Sequence, residues 1–241
     1  MEHSVAAIIC AAGISSRMGG IENKKEFQHI SRPSSQSGEN LTVLGSAVKA
    51  FAELEKIKPI IITLPREIKN ADEYLPEELR GKVHYCTGGA TRRISVQNAL
   101  IYLKKFNRTT HVLIHDGARP WIKKNLIENI IKAAIKYDAV IPALPQLETP
   151  KELDGIFVKD KPSINFIKRH LRRAELCSAQ TPQGFSFPEI LRAHEKAAGR
   201  EKSENYEYTD DAEVWGEFIG KVAVIPGDKE NIKITFPEDL L

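Results

Sequence analysis

Five short apolar runs punctuate the chain, at residues 5–10, 59–64, 111–115, 139–143 and 222–225. Each is rich in Ile, Val and Ala and has the length of a strand buried on both faces. Between them, residues 43–54, 94–105 and 123–137 carry apolar side chains at helical spacing, with polar residues on the remaining faces. Strands alternating with helices predict an α/β protein with a mainly parallel sheet covered on both sides. Ligands of such sheets sit at the carboxyl ends of the strands, so chemistry is sought there.

Two segments break the alternation. Residues 31–40 (SRPSSQSGEN) are polar and contain Pro and Gly, the composition of a surface loop. Residues 148–173 carry scattered charge, an isolated apolar pair at Ile156 and Phe157, and no helical period. They read as an extended arm leaving the domain. No internal repeat or interdomain linker is visible, and residues 1–241 are read as a single domain.

Composition narrows the function without naming it. The 241 residues are 41% hydrophobic and 28% charged, with a formal net charge of +3. That charge is too mild, and its basic runs too short, to predict a nucleic-acid partner. Phosphate-bearing small molecules fit it well. The three cysteines, Cys10, Cys86 and Cys177, lie far apart, and the seven histidines form no metal-spaced cluster. The first apolar run is too short for a signal peptide or a membrane span. The expected location is therefore the reducing cytoplasm.

Polar clusters sit where the strands should end. Ala11, Ala12 and Gly13 are small enough for a backbone to approach a ligand closely, and Ser15, Ser16 and Arg17 follow. Such a loop can surround a polyphosphate; an ordinary strand-to-helix turn would use similar residues. His115-Asp116-Gly117-Ala118-Arg119-Pro120 places a carboxylate and a guanidinium three residues apart, which suits a metal-phosphate or an anion, or else forms a local ion pair. Thr181-Pro182-Gln183-Gly184-Phe185 is a third cluster. Tyr208-Thr209-Asp210-Asp211-Ala212-Glu213 is a fourth, and has the composition of a plain helix N-terminus. Residues 231–235 place Lys233 in an alternating strand.

The ordered set of these motifs resembles the 2-C-methyl-D-erythritol 4-phosphate cytidylyltransferases of the non-mevalonate isoprenoid pathway. The resemblance runs through AAG-x-S-S-R-M-G at 11–19, K-E-F at 25–27, V-L-G-S-A-V-K-A-F at 43–51 and G-G-A-T-R-x-x-S-V at 88–96. HDGARP, TPQGF, TDDAE and NIKIT-x-PEDL complete it. It implies a Rossmann-like nucleotidyltransferase fold with a mixed sheet and a projecting dimerisation arm at 148–173. It also implies transfer of CMP from CTP to the sugar-alcohol phosphate by a homodimer, with Mg²⁺ held mainly by the CTP phosphates and Asp116 as a candidate for its shell.

The resemblance assigns roles residue by residue. Ala11, Ala12, Gly13 and Arg17 would wrap the triphosphate, and Gly89 and Ser95 would hold the cytosine and ribose. The second loop lysine falls on Lys25, with Lys24 one position away as the other alignment. Asp116, Arg119 and Thr209 would hold the acceptor, joined by Thr149 and Arg173 from a second subunit's arm. Lys233 would contact the α-phosphate. Arg17, Lys25 and Lys233 form the catalytic set, because attack of one phosphate on another needs cations more than a base.

The sequence departs from the family pattern in places. Ser15 replaces a loop glycine, Gly45 stands where His is common, and the arm reads Glu148-Thr149-Pro150-Lys151 in place of Asp-Thr-x-Lys. Relatives continue past the position of Leu241 into a final helix, so a longer natural chain is expected. Three competing readings carry distinguishing features. Ribitol-5-phosphate cytidylyltransferases tend to an AGG loop and DAVRP. Molybdenum-cofactor nucleotidyltransferases share the loop but lack the TPQGF and TDDAE set. A non-catalytic nucleotide-binding regulator would have no need of Lys233.

Overall fold

The computed structural model describes residues 3–13, 24–30, 41–155, 164–204 and 206–240. Arg17, the serines beside it, and the Ile156–Phe157 pair lie outside the described residues.

The central sheet is built from β1 (Val5–Cys10), β2 (Ile57–Leu64), β3 (His84–Thr87), β4 (His111–Asp116), β5 (Ala139–Pro145), β8 (Cys177–Ala179), β9 (Gln183–Ser186) and β10 (Ala223–Pro226). Its order is β10-β5-β9-β4-β1-β2-β3, with β8 paired to the end of β5. All neighbours are parallel except β9, antiparallel between β4 and β5, and β8, antiparallel to β5. The mainly parallel sheet read from the apolar runs is therefore present, and it is mixed. The order reverses at β1, whose sheet neighbours β2 and β4 lie on opposite sides of it, which is where such sheets open a crevice.

Alternation along β1 feeds two cores. Val5, Ala7 and Ile9 pack with α1 (Val43–Ala52) and α3 (Lys124–Tyr137), whereas Ala6 and Ile8 pack with α2 (Arg92–Leu103), α4 (Glu189–Glu204) and α5 (Asp211–Phe218). The helices start on capping side chains. Thr42 accepts from Gly45 N–H (2.9 Å), Thr91 from Ile94 N–H (3.2 Å) and Asp210 from Glu213 N–H (2.8 Å). In α3, Leu126, Ile127, Ile130 and Ile131 form the buried stripe, worth ~1.5–3 kcal/mol per side chain. Gly45 has a packing reason: a Cβ there would stand 2.8 Å from the Tyr74 carbonyl, so the larger side chain common at this position would require that loop to move.

Residues 231–235 correct the expected strand. They join no ladder; Ile234 N–H donates to the Ala118 carbonyl (2.8 Å), and turn bonds join Asn231 to Asp228 and Ile232 to Glu230. The apparent alternation fails because Ile232 faces solvent while Asn231 and Ile234 are buried, a spacing of three. Side-chain bonds pin the segment instead, with Asn231 Nδ2 donating to the Thr181 carbonyl at 2.8 Å.

Beyond β5 the chain leaves the sheet. A hairpin of β6 (Lys151–Leu153) and β7 (Ile167–His170) projects from it, pairing Lys151 with His170 and Glu152 with Arg169. Leu147, Ile164 and Phe166 on this arm are 74%, 89% and 71% exposed.

Candidate active site

A cleft of about 340 Å³ opens at the carboxyl ends of β1, β2 and β4. Its wall includes Ala12 and Gly13 after β1, Thr63 of β2, Gly89 to Arg92 entering α2, and Asp116 ending β4. The close approach is visible at Gly88, where a Cβ would lie 2.3 Å from that of Ala12 and 2.9 Å from Ser95 Oγ. Ser95 Oγ in turn accepts from Gly89 N–H at 3.0 Å. Ala11 lies just beneath, fully buried, its N–H bonded to the Thr63 carbonyl.

Asp116 is the electrostatic centre. Lys233 Nζ lies 2.8 Å from its Oδ2 and Arg119 Nε 3.7 Å from the same oxygen, while Arg92 Nε lies 3.4 Å from Oδ1. Burial pushes the carboxyl up, but Arg92, Lys233 and Arg119 together outweigh it and hold it well below the usual carboxylate range. The local ion pair that HDGARP suggested is present between Asp116 and Arg119, within a wider cluster drawn from three other parts of the chain. Asp211 adds a second buried carboxylate, 2.8 Å from Arg92 Nη2, so three cations face two anions.

The two adjacent lysines separate cleanly. Lys25 lines the cleft and donates to the Ile234 carbonyl at 2.8 Å, beside Lys233. Lys24 is buried, donates to the Gly13 carbonyl, and sits 3.3 Å from Glu26 Oε2. Burial lowers the Lys24 pKa, partly offset by Glu26. Of the two, Lys25 is the one placed to meet a ligand.

Two nucleophilic or titratable groups nearby are silenced. The Cys10 thiol borders the cleft, and burial pushes it up to about 12, so it stays protonated and unreactive at neutral pH. Burial pushes His115 down to about 4. Its ring is spent on structure: Nε2 lies 3.1 Å from the Arg119 carbonyl and Nδ1 3.1 Å from Thr181 Oγ1, which itself accepts from Asp116 N–H.

Other predicted residues stand apart from the cleft wall. Thr209 is exposed and gives both its N–H and hydroxyl to Glu213 Oε2, at 2.9 Å each. Together with the Asp210 cap, this makes the TDDAE cluster the start of α5, the plainer of its two readings. Thr149 and Arg173 are exposed on the arm, where Arg173 Nη1 donates to the Leu147 carbonyl (3.0 Å). Arg92 and Asp211 fall inside the GGATR and TDDAE motifs without an assigned task there, and His194 falls in no motif. Two buried charges flanking the Gly88-Gly89 turn and the α5 start were the available signal.

A resident divalent ion does not fit Asp116 in this arrangement, because both carboxylate oxygens already face cations. Among the described residues no group of three or more His, Cys, Asp or Glu side chains converges on a point.

The family profile described as 2-C-methyl-D-erythritol 4-phosphate cytidylyltransferase matches residues 5–241. A protein of that name from Clostridium botulinum (strain Eklund 17B / Type B) is 36% identical over 240 residues, covering 98% of this chain and 96% of the relative. One from Bacillus mycoides (strain KBAB4) is 35% identical, covering 97% and 93%. Among solved structures, 4-diphosphocytidyl-2C-methyl-D-erythritol synthase from Anaerococcus prevotii DSM 20548 superposes with a TM-score of 0.75 at 29% identity, covering 99% of this chain and 93% of that one. The cytidylyltransferase from Thermus thermophilus gives 0.69 at 29% identity, covering 100% and 96%.

Proposed function

The chain belongs to the 2-C-methyl-D-erythritol 4-phosphate cytidylyltransferase family, and on that premise we propose that it transfers CMP from CTP to 2-C-methyl-D-erythritol 4-phosphate. The products are the CDP-alcohol and pyrophosphate, in isoprenoid precursor biosynthesis. The observation that carries the reading is the cation cluster at the cleft: Lys233, Arg119 and Arg92 around Asp116, with Lys25 alongside.

The physical problem is repulsion. An oxygen of the acceptor phosphate attacks the α-phosphorus of CTP, forming one P–O bond while the bond to the β-phosphate oxygen breaks. A phosphate monoester is already mostly dianionic at neutral pH, since its second pKa is about 6. No general base is needed. Positioned cations neutralise the charge that builds as pyrophosphate leaves. Lys233 serves the α-phosphate, exchanging its present partner Asp116 for the nucleotide; Lys25 and Arg17 serve the β- and γ-phosphates. Gly13 lets the triphosphate approach the backbone, and Gly89 and Ser95 offer the small surface and polar groups that the nucleoside needs. Asp116 and Arg119 hold the acceptor, and Thr209, bonded to Glu213 at the start of α5, is assigned to it by the family resemblance alone. Mg²⁺ enters with CTP as the metal–nucleotide substrate.

The assembly proposed is a homodimer in the cytoplasm, in which Thr149 and Arg173 of one arm complete the other subunit's site. Exposed Leu147, Ile164 and Phe166 supply the apolar surface such a contact would bury. The described residues include no helix long and apolar enough to cross a membrane.

The test is pyrophosphate release from CTP with methylerythritol phosphate, ribitol 5-phosphate, or no acceptor. Release with the first alone is expected. Turnover with ribitol phosphate only would reassign the substrate, and none with either would remove the catalytic reading.

A further inference from the structure

Behind Asp116 runs a line of buried ionic groups that the reaction scheme leaves without a task. Arg92 opens α2 and spans two carboxylates, with Nε 3.4 Å from Asp116 and Nη2 2.8 Å from Asp211. Asp211 opens α5, and its other oxygen lies 3.2 Å from His194 Nε2 on α4. Asp211 is 1% exposed and His194 fully buried.

A carboxylate so deep is costly to keep unless it is paired. Helix capping does not account for it. The α5 cap is Asp210, and Gln183 Oε1 accepts from the N–H groups of Asp211 and Ala212, at 3.1 and 3.0 Å. The Asp211 side chain is therefore spent on Arg92 and His194.

We propose that Asp211, steadied by His194, is a positioning residue that fixes the Arg92 fork and through it the Asp116 carboxylate on the acceptor side of the site. This rests on the reaction proposed above. When Lys233 turns from Asp116 to the α-phosphate, Asp116 keeps only Arg92 and Arg119. An Arg92 with one anchor would be drawn to the arriving phosphates and leave Asp116 behind. The second anchor at Asp211 prevents this, and only a planar fork with separated nitrogens can bridge both carboxylates, so Lys cannot replace Arg92.

The experiment is steady-state kinetics on the full chain, on Asp211→Asn, on Arg92→Lys and on their combination, with thermal melts of each. Losing one charged anchor should raise the acceptor KM roughly ten- to hundredfold while the CTP KM stays within about twofold. The double variant should be no worse than the worse single, because both changes act through one contact. An unchanged acceptor KM in folded Asp211→Asn, a parallel rise in both KM values, or additive losses would overturn the proposal. If Asp211→Asn does not fold, His194→Gln and His194→Leu decide. The amide, which keeps a donor, should preserve the acceptor KM and Leu should not; equal behaviour overturns the idea. Failure of the reaction reading shows separately, as no wild-type turnover with methylerythritol phosphate. The same comparison is then read with whichever acceptor the wild type uses.

Discussion

Acidification should remove a distinct share of this protein's stability through His115, and the size of that share follows from its burial. The ring is fully enclosed between the Arg119 carbonyl and the Thr181 hydroxyl, and burial pushes its pKa down from 6.5 to about 4. The depressed value means that the unfolded chain takes up a proton below pH 6.5 while the folded protein does not. Stability is thus complete above about 6.5 and declines as pH falls from there toward 4. At pH 5 the two pKa values correspond to a loss of about 2 kcal/mol relative to neutral pH, a sizeable part of a typical total of ~5–15 kcal/mol. Urea denaturation of wild type and His115→Gln at pH 7.5 and 5 measures it, because the amide can donate and accept without titrating. Other titrating groups cancel between the two proteins. Wild type should lose about 2 kcal/mol more than the variant over this interval. Equal losses would refute the assignment of a neutral, structural His115.

Three further outcomes are expected. Lys233→Ala should lower turnover ~10²–10³-fold in a protein that still folds, since Lys233 is 40% exposed at its side chain and Asp116 keeps Arg92 and Arg119; near-normal turnover would end its α-phosphate role. Gly88→Ala should raise the CTP KM and cost ~1–3 kcal/mol of stability, because the new methyl stands 2.3 Å from Ala12 Cβ; equilibrium CTP binding and a melt would check both. Mixing inactive Lys233→Ala with inactive Arg173→Ala should partly restore activity through sites built from two subunits, and no rescue after verified subunit exchange would mean that each arm serves its own chain.

Continuous apolar runs made β1, β2, β4, β5 and β10 legible. The β1 run reads the same in sequence and structure, residues 5–10, because a strand buried on both faces allows no polar interruption. Other elements were not. The β3 segment HYCT is half-buried, β8 (CSA) is exposed, and α4 (EILRAHEKAAGREKSE) is dominated by its solvent face. In the cleft, Asp116, Lys25 and Lys233 were findable from their places after strands or in recognisable motifs. Arg92 and Asp211 stood in quoted motifs but their task, like that of His194, was not legible, because it arises only where α2, α4 and α5 converge. The strand expected around Lys233 failed for a related reason: the segment is held by Ala118 and Thr181, partners that no local pattern encodes.

The chain departs for the arm from the end of β5 and returns through β8, which is zipped directly to that same end, Pro145 opposite Cys177 and Ala143 opposite Ala179. The gap that the intervening residues must bridge is therefore set by the ladder and not by their number. A closed excursion of this kind can gain or lose residues at a cost that grows only logarithmically with length. The arm is in this sense a graftable unit. Its tip can be lengthened or exchanged to change what it meets, while β4, one strand beyond β9, keeps Asp116 where it is. The Lys233 segment has no such freedom, because its bonds to Ala118, Thr181 and Lys25 tie it to the sheet's crevice.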